Sequence, residues 1–161
     1  MPKIKKYTLK QIFENEHILP ATYNVDLIEY LKKYDGKNGY HFAGVIMKNE
    51  INRIEIHDKM FMIVNYDNSN QQGSHWVAVV KNGNDVMHFG SYGIPPLRQI
   101  KGKFSKYQIY YNDRPVQMTD SSICGYLCLN FIEFMIEEKK TFYEFISKCL
   151  EYSNRYMKDV S

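Results

Sequence analysis

The sequence predicts an α+β domain, with helices near both ends of the chain and mostly sequential strands between them. Two observations predict this class. Short apolar runs separated by turn residues fill the middle of the chain, and from Cys124 onward the apolar residues follow a helical period. The 161 residues contain no repeat, low-complexity tract or Pro/Gly/Ser linker, so we expect one domain over 1–161.

The first half of the chain carries three predicted elements. Asp26–Lys33 begins with a capping residue and predicts a short helix that ends at the turn Asp35–Gly39. Residues 40–47 indicate a loop and a short strand, followed by a polar linker. Met60–Val64 is a continuous apolar run, which is typical of a strand buried on both faces.

The second half begins with strands and ends with helices. His75–Val80 and Val86–Phe89 are predicted strands, and the Asn82-Gly83 pair between them is a strong hairpin signal. Tyr107–Tyr111 predicts a further strand. The segment that starts at Cys124 is apolar on nearly all sides and predicts a central buried helix, and Phe142–Tyr156 predicts a last amphipathic helix.

Charge and cysteine content indicate a soluble, intracellular protein without a metal. The net charge is +3, no run of about 18 apolar residues predicts a membrane span, and the N-terminus lacks the apolar stretch of a secretory signal. Three cysteines without zinc-knuckle spacing predict free thiols in a reducing compartment. Two lysine runs allow contact with DNA, although such runs are more often solvated faces. Their members are Lys3, Lys5, Lys6, Lys10, Lys101, Lys103 and Lys106.

Cys124 is the candidate nucleophile, because it falls in the first turn of the predicted central helix. Unpaired N–H groups and the helix dipole favour a thiolate there, and Ser121 or Ser122 can cap the helix. Gly125 leaves room for a substrate backbone to approach. Cys128 and Cys149 lie within helical periodicity, and we expect them to be buried apolar residues.

His75 and Gln117 are the candidate partners of Cys124. A histidine at the mouth of a buried strand can serve as a base that faces the end of a helix. Gln117 lies seven residues before Cys124, and its side-chain amide can donate to the oxyanion that forms when a thiolate attacks a carbonyl. The Cys124 backbone N–H is the second expected donor.

These residues stand in motifs that resemble those of the adenovirus-type, or adenain-like, cysteine proteases of DNA viruses, virophages and virus-like transposons. The motifs are Gly-x-His-Trp at 73–76, Phe-x-x-Tyr-Gly at 89–93 and Gln-x-x-x-Ser-x-x-Cys-Gly-x-x-Cys at 117–128. The resemblance covers about 42–138, and its clan includes the SUMO-specific proteases. It implies a papain-like fold, in which a central mixed sheet packs between helices and the nucleophile begins the buried helix.

The resemblance also implies roles and partners. Cys124 would be the nucleophile, His75 the base and Gln117 the oxyanion donor, while Trp76 would shape the site or act as an ordinary core tryptophan. Substrates would be virion precursors cleaved at glycine-containing sites, in the infected cell and the virion. We expect a monomer that requires no cofactor and has no membrane partner, with DNA as a stimulator through the lysine runs. The disulfide-linked activating peptide of the adenovirus enzyme has no matching cysteine here.

Gly90 departs from the family pattern, because family members usually carry Asp, Glu or Asn at this position to orient the histidine. Three explanations remain open. Cys124 and His75 form a working dyad; another group such as Ser91, a backbone carbonyl or water orients His75; or activity is reduced. Asn84 and Asp85 belong to the far end of the hairpin.

Two other functions are compatible with the same residues. One is removal of ubiquitin-like modifiers, whose chains also end in glycine. The other is a binding module that keeps the protease fold without cleaving. The short chain disfavours the first, and the presence of Cys124, His75 and Gln117 together disfavours the second.

Overall fold

The protein is described here by a computed structural model, which covers residues 4–67, 75–117, 122–137 and 141–157. A five-stranded mixed sheet forms its centre, in the order β1-β2-β3-β4-β5. The strands are β1 (His41–Met47), β2 (Lys59–Asn65), β3 (Trp76–Asn82), β4 (Asp85–Gly90) and β5 (Gln108–Tyr111). The outer pairs β1–β2 and β4–β5 are parallel, and the inner pairs are antiparallel. The predicted α+β class and mixed sheet are confirmed.

Helices cover both faces of this sheet. They are α1 (Leu9–Glu14), α2 (Asn24–Leu31), α3 (Arg98–Lys103), α4 (Cys124–Ile136) and α5 (Phe142–Met157), with short 3₁₀ segments at Lys32–Tyr34, Lys37–Gly39 and Lys48–Arg53. Side chains of α1, α2, α4 and α5 share one core with the sheet. The other face packs against α3 and the Lys48–Arg53 segment. The sheet therefore lies between helices, as the sequence predicts.

Strand alternation divides the interior into these two cores. In β3, Ala78 and Val80 face α4, while Val77 and Val79 face α3. β2 alternates in the same way, which explains why Met60–Val64 is apolar at every position. The same alternation in β4 places Val86 in the α3-side core, so His88 and Gly90 project to that side.

The α4 helix is buried along nearly its whole length, as its uniform apolar composition predicts. Cys128 is fully buried, and its thiol donates to the Trp76 carbonyl at 3.5 Å. Cys149 of α5 is fully buried as well. All three cysteines are free, so the prediction of free thiols is confirmed. Burial raises the pKa of Cys128 well above its ordinary value, which fits a packing role.

Several local predictions were wrong. The expected loop and short strand over 40–47 is a seven-residue strand from His41 to Met47, and the polar linker after it contains the 3₁₀ segment whose Ile51 is completely buried. The hairpin turn consists of Gly83 and Asn84, because Asn82 still pairs with Asp85 and Gly83 has the left-handed φ of 61°. The sequence also predicted neither α1 nor α3. A capping box of Thr8 and Gln11 at the start of α1 was the signal that could have shown it.

Candidate active site

Cys124 is the first residue of α4, and its side chain is buried, with 6% of the residue exposed. Ile123 occupies the N-cap position, and no side-chain hydrogen bond caps the helix among the described residues. The predicted serine cap is therefore wrong for Ser122, which is exposed one residue before the cap. Ser121 lies outside the described residues.

The Cys124 thiol is surrounded by backbone N–H groups, but burial dominates its ionisation. Burial raises the pKa of the thiol, and the backbone N–H groups of Trp76, Gly125 and Cys124 itself lower it by less. The expected stabilisation by the helix N-terminus is thus present, while the predicted net preference for a thiolate is wrong in this conformation. Because the Trp76 N–H contacts the thiol, the thiol lies beside Trp76, the first residue of β3.

His75 lies immediately before β3, at the mouth of the strand as predicted. Its ring stacks on Tyr92 with 4.0 Å between ring centroids, and Tyr66 packs edge-on against it at 5.0 Å. Both ring nitrogens are buried, and neither has a hydrogen-bond partner within the described part of the chain. Burial lowers the pKa of His75 to about 4, so the ring is neutral at pH 7.

The structure therefore brings His75 and Cys124 to the same end of the sheet without joining them. The residue that follows His75, Trp76, contacts the thiol through its backbone N–H. Among the residues that the structure describes, neither nitrogen of His75 has a partner, so no hydrogen bond links the imidazole to the Cys124 thiol. With a raised thiol pKa and a lowered imidazole pKa, both groups are uncharged at neutral pH in this conformation.

Gln117 is held by Ser91. The Ser91 hydroxyl donates a short hydrogen bond to Gln117 Oε1, and both side chains are buried. The Ser91 carbonyl also accepts from the backbone N–H groups of Val116 at 2.8 Å and Gln117 at 3.3 Å. Because Oε1 faces Ser91, the NH₂ group of the amide projects in the other direction. Ser91, one of the candidates for orienting His75, thus orients Gln117 instead.

Gly90 ends β4 and is fixed through its backbone. The Asn112 side chain accepts from the Gly90 N–H at 3.1 Å and donates to the Gly90 carbonyl at 2.6 Å, so one amide forms both hydrogen bonds of a ladder pair. A Cβ on Gly90 would lie 3.3 Å from Val77 Cγ1 and 3.4 Å from His88 Cε1. Asp85 pairs with Asn82 at the far end of the hairpin, as the sequence indicated.

The space above Gly125 is filled by Thr22. A Cβ on Gly125 would lie 1.9 Å from Thr22 Oγ1, so only glycine fits beneath this side chain. The Trp76 indole donates to the Thr22 carbonyl at 3.4 Å, and the Tyr126 hydroxyl donates to the Pro20 carbonyl at 2.9 Å. The prediction that Gly125 leaves room for a substrate is wrong in this conformation, because the segment Pro20–Thr22 occupies that room.

Trp76 combines its two predicted roles. It is buried in the core shared by the sheet and α4, and its indole N–H anchors the segment that covers Gly125. Thr22 and Asn112 were not identified from the sequence, because their partners lie far away in the chain. His88 could have been found, since residues two apart in a strand share a face and His88 precedes Gly90 by two.

The two lysine runs lie on opposite sides of the sheet. Lys6 forms an ion pair of 3.0 Å with Glu133 of α4, and Lys10 lies 3.8 Å from Glu14. On the other side, Lys103 of α3 donates to the Asn52 carbonyl at 3.3 Å, while Lys101 is exposed. Lys5 and Lys106 are exposed as well, and Lys3 is outside the described residues. The runs therefore do not merge into one basic surface.

The described part of the chain contains no group of three or more His, Cys, Asp or Glu side chains arranged to hold a metal ion. Within the same residues, no helix has both the length and the apolar character needed to cross a bilayer.

No protein-family model and no curated protein matches the chain. Among solved structures, the fold is similar to SUMO protease Ulp1 with the catalytic cysteine oxidised to a sulfinic acid. That likeness has a TM-score of 0.46 and 13% identity, over 91% of this chain and 82% of the other. The sulfonic acid form gives a TM-score of 0.47 and 13% identity, over 92% and 83%.

Proposed function

We propose that the protein is a cysteine endopeptidase that cleaves polypeptides at glycine-containing sites. One observation carries this proposal. Cys124 is the first residue of the buried helix α4, and its thiol contacts the backbone N–H of Trp76, the residue that follows His75. A nucleophile and a base at the same end of a rigid sheet are the minimum that thiol proteolysis requires.

The chemistry assigns one task to each residue. A neutral imidazole is the form that can accept a proton, and the lowered pKa keeps His75 in that form. His75 takes the thiol proton, Cys124 Sγ attacks the carbonyl carbon, and His75 returns the proton to the leaving amine as the C–N bond breaks. Water then hydrolyses the thioester. Gln117 and the Cys124 N–H donate to the oxyanion in both steps.

Substrate entry requires movement of the segment Pro20–Thr22. Thr22 lies directly over Gly125, and its carbonyl accepts from Trp76 across the same opening. A substrate backbone that takes this place must be thin, which favours glycine beside the cleaved bond. When this segment moves, Cys124 becomes less buried and its thiol pKa falls, since burial is the main cause of the rise.

The biological substrates that we propose are virion precursor proteins, from the resemblance in the His-Trp and Gln-to-Cys motifs. The same resemblance leads us to propose a monomer that acts in the infected cell and in the virion without a required cofactor. Stimulation by DNA would use one lysine run at a time, because the runs lie on opposite sides of the sheet. Its test is a cleavage rate that rises with DNA and loses this rise with added salt.

The test of the proposed activity is a labelled substrate series with Cys124→Ala as the negative control. We expect the protein to cleave glycine-containing peptides, and we expect His75→Ala and Gln117→Ala to reduce cleavage. Mass spectrometry of the products identifies the bond. Cleavage of folded modifier fusions alone would assign the protein to modifier removal instead. Absence of cleavage with every substrate, under conditions where the protein is folded, would contradict the proposal.

A second candidate, a binding module that does not cleave, is favoured by a specific observation. His75 and Cys124 are both uncharged and not hydrogen-bonded to each other, and no carboxylate stands at position 90. Binding of the glycine-containing peptides by both the natural chain and Cys124→Ala, with no product from either, would establish this candidate.

A further inference from the structure

A second buried histidine precedes Gly90 by two residues and shares its face of β4. His88 of β4 is 0% exposed, and neither of its ring nitrogens has a hydrogen-bond partner in another described residue. Buried polar groups without partners are uncommon and costly, so two such imidazoles at one end of a sheet require an explanation. Tyr66, a half-buried residue, also packs against His75, and its buried hydroxyl has no hydrogen-bond partner among the described residues.

His88 lies next to the position that a side chain on residue 90 would take. Residues 88 and 90 share a face of β4, and a Cβ on Gly90 would lie 3.4 Å from His88 Cε1. The His88 ring therefore leans along the strand toward the end where His75 lies. A side chain added at position 90 would therefore be in contact with this ring.

The two imidazoles also influence each other electrostatically. Burial lowers the pKa of His88 to about 4, and a charge on His75 lowers it further. His88 is consequently neutral at pH 7 and has one unprotonated nitrogen that can accept a hydrogen bond. When His75 takes the thiol proton, its other N–H can be donated to the unprotonated nitrogen of His88.

We propose that His88 is the positioning residue of the site. The ring nitrogens of His75 and His88 are unpaired among the described residues in this conformation, and a rotation of the two rings lets His88 accept a hydrogen bond from His75 and thereby fix its tautomer and orientation. The catalytic consequence rests on the proposed function. His75 needs one lone pair for the thiol proton, so its second nitrogen must be the donor and the partner must be an acceptor. The Tyr66 hydroxyl suits this role less well, since a phenol oxygen is a weaker hydrogen-bond acceptor than the unprotonated nitrogen of a neutral imidazole.

The first test compares three substitutions by their kcat and KM. His88→Phe keeps a ring in the core and removes the acceptor, His88→Gln restores an acceptor, and Tyr66→Phe is the matched control that removes only a hydroxyl. We expect His88→Phe to lower kcat about tenfold or more with little change in KM. His88→Gln should recover most of this loss, and Tyr66→Phe should stay within about threefold of the natural chain. The proposal would be overturned if His88→Phe had the same kcat as the natural chain. It would also be overturned if Tyr66→Phe, and not His88→Phe, lowered kcat about tenfold.

A complementary test uses position 90. Gly90→Asp alone should change kcat little, because the neighbouring His88 already serves as the acceptor for His75. In the His88→Ala background, Gly90→Asp should raise kcat about tenfold, since the aspartate can then accept from His75. Equal effects of Gly90→Asp in the two backgrounds would show that His88 and position 90 are independent and would contradict the proposal.

A third readout does not depend on cleavage or on a substituted protein. Nitrogen-15 NMR of the natural chain should show His75 in a single neutral tautomer at pH 7, with one N–H protected from exchange with water. A mixture of two tautomers would overturn the positioning role even in an active protease. If the protein shows a single His75 tautomer but cleaves no substrate, the proposed protease activity is wrong and the proposed positioning of His75 is retained.

Discussion

Burial controls the ionisation of the reactive side chains. Cys124 and His75 are each within a few per cent of complete burial, and the burial acts on them in opposite directions. It raises the pKa of the thiol and lowers that of the imidazole, because in both cases the uncharged form is favoured. The position of Cys124 at a helix N-terminus does not overcome this effect while Thr22 covers the helix.

The first prediction concerns the reactivity of Cys124. We expect slow alkylation of the thiol at pH 7, with a rate that rises only above about pH 9, because the thiolate is the reactive form. The measurement is the alkylation rate against pH, with Cys124→Ala to subtract the other thiols. Rapid reaction near pH 6 that His75→Ala abolishes would show instead that an ion pair already exists in the free protein.

A second prediction concerns the hydrogen bond between Ser91 and Gln117. Ser91→Ala leaves Gln117 Oε1 buried and without this donor, so the amide loses one of the contacts that orient it. We expect kcat to fall about tenfold in Ser91→Ala, against about 100-fold or more in Gln117→Ala. Ser91→Thr, which keeps the hydroxyl, is the control. If Ser91→Ala leaves kcat unchanged, then Gln117 does not depend on this hydrogen bond.

At the scale of elements, the contact between the segment Pro20–Thr22 and α4 gives a third prediction. Gly125→Ala places a methyl group against Thr22, and we expect a loss of about 1–3 kcal/mol in unfolding free energy. Gly102→Ala in α3 is the matched control, because nothing lies within 4 Å of its added Cβ. It should leave stability unchanged or raise it slightly. Urea unfolding of both variants gives the comparison, and the cost of Gly125→Ala should shrink in a Thr22→Gly background.

The turn after β4 supports a fourth prediction. Gly93 has φ of 69°, and an added Cβ would lie 2.3 Å from the Arg114 carbonyl carbon. Gly93→Ala should therefore cost about 3 kcal/mol or more in unfolding free energy, since a backbone contact cannot give way as a flexible side chain can. Gly36→Ala has a similar φ of 88° but open space, so it should cost only about 1 kcal/mol. Equal losses in the two variants would show that the contact with Arg114 is absent.

For the whole molecule, the two buried histidines predict acid sensitivity. Their pKa values are about 4 in the folded protein and about 6.5 when unfolded, so the unfolded chain binds more protons between these values. Stability should be unaffected above pH 6.5 and fall as the pH drops toward 4, by about 3 kcal/mol per histidine. Urea unfolding at pH 7 and pH 4.5 measures the loss, and His88→Phe should remove about half of it. An equal loss in His88→Phe would mean that other groups cause the sensitivity.

Much of this architecture could be predicted because it depends on local patterns. The apolar runs identify β2, β3 and β4, and the change of period at Cys124 identifies α4. The elements that were missed are short and polar in composition, like α3, or are stabilised by distant packing, like the 3₁₀ segment around Ile51. The sequence also identifies candidate catalytic residues, because the type of side chain alone limits which residues can serve as a nucleophile, a base or an amide donor.

The sequence by itself determined the α+β class, the central position of α4 and the candidates Cys124, His75 and Gln117. Only the tertiary structure decided how these groups ionise and what holds them. Thr22 lies over Gly125 from a segment about 100 residues away in the chain, and Ser91 rather than a neighbour in sequence binds Gln117. The physical reason is that residue periodicity fixes which side of an element is buried, while pKa values and hydrogen-bond partners depend on the neighbours that folding brings into contact.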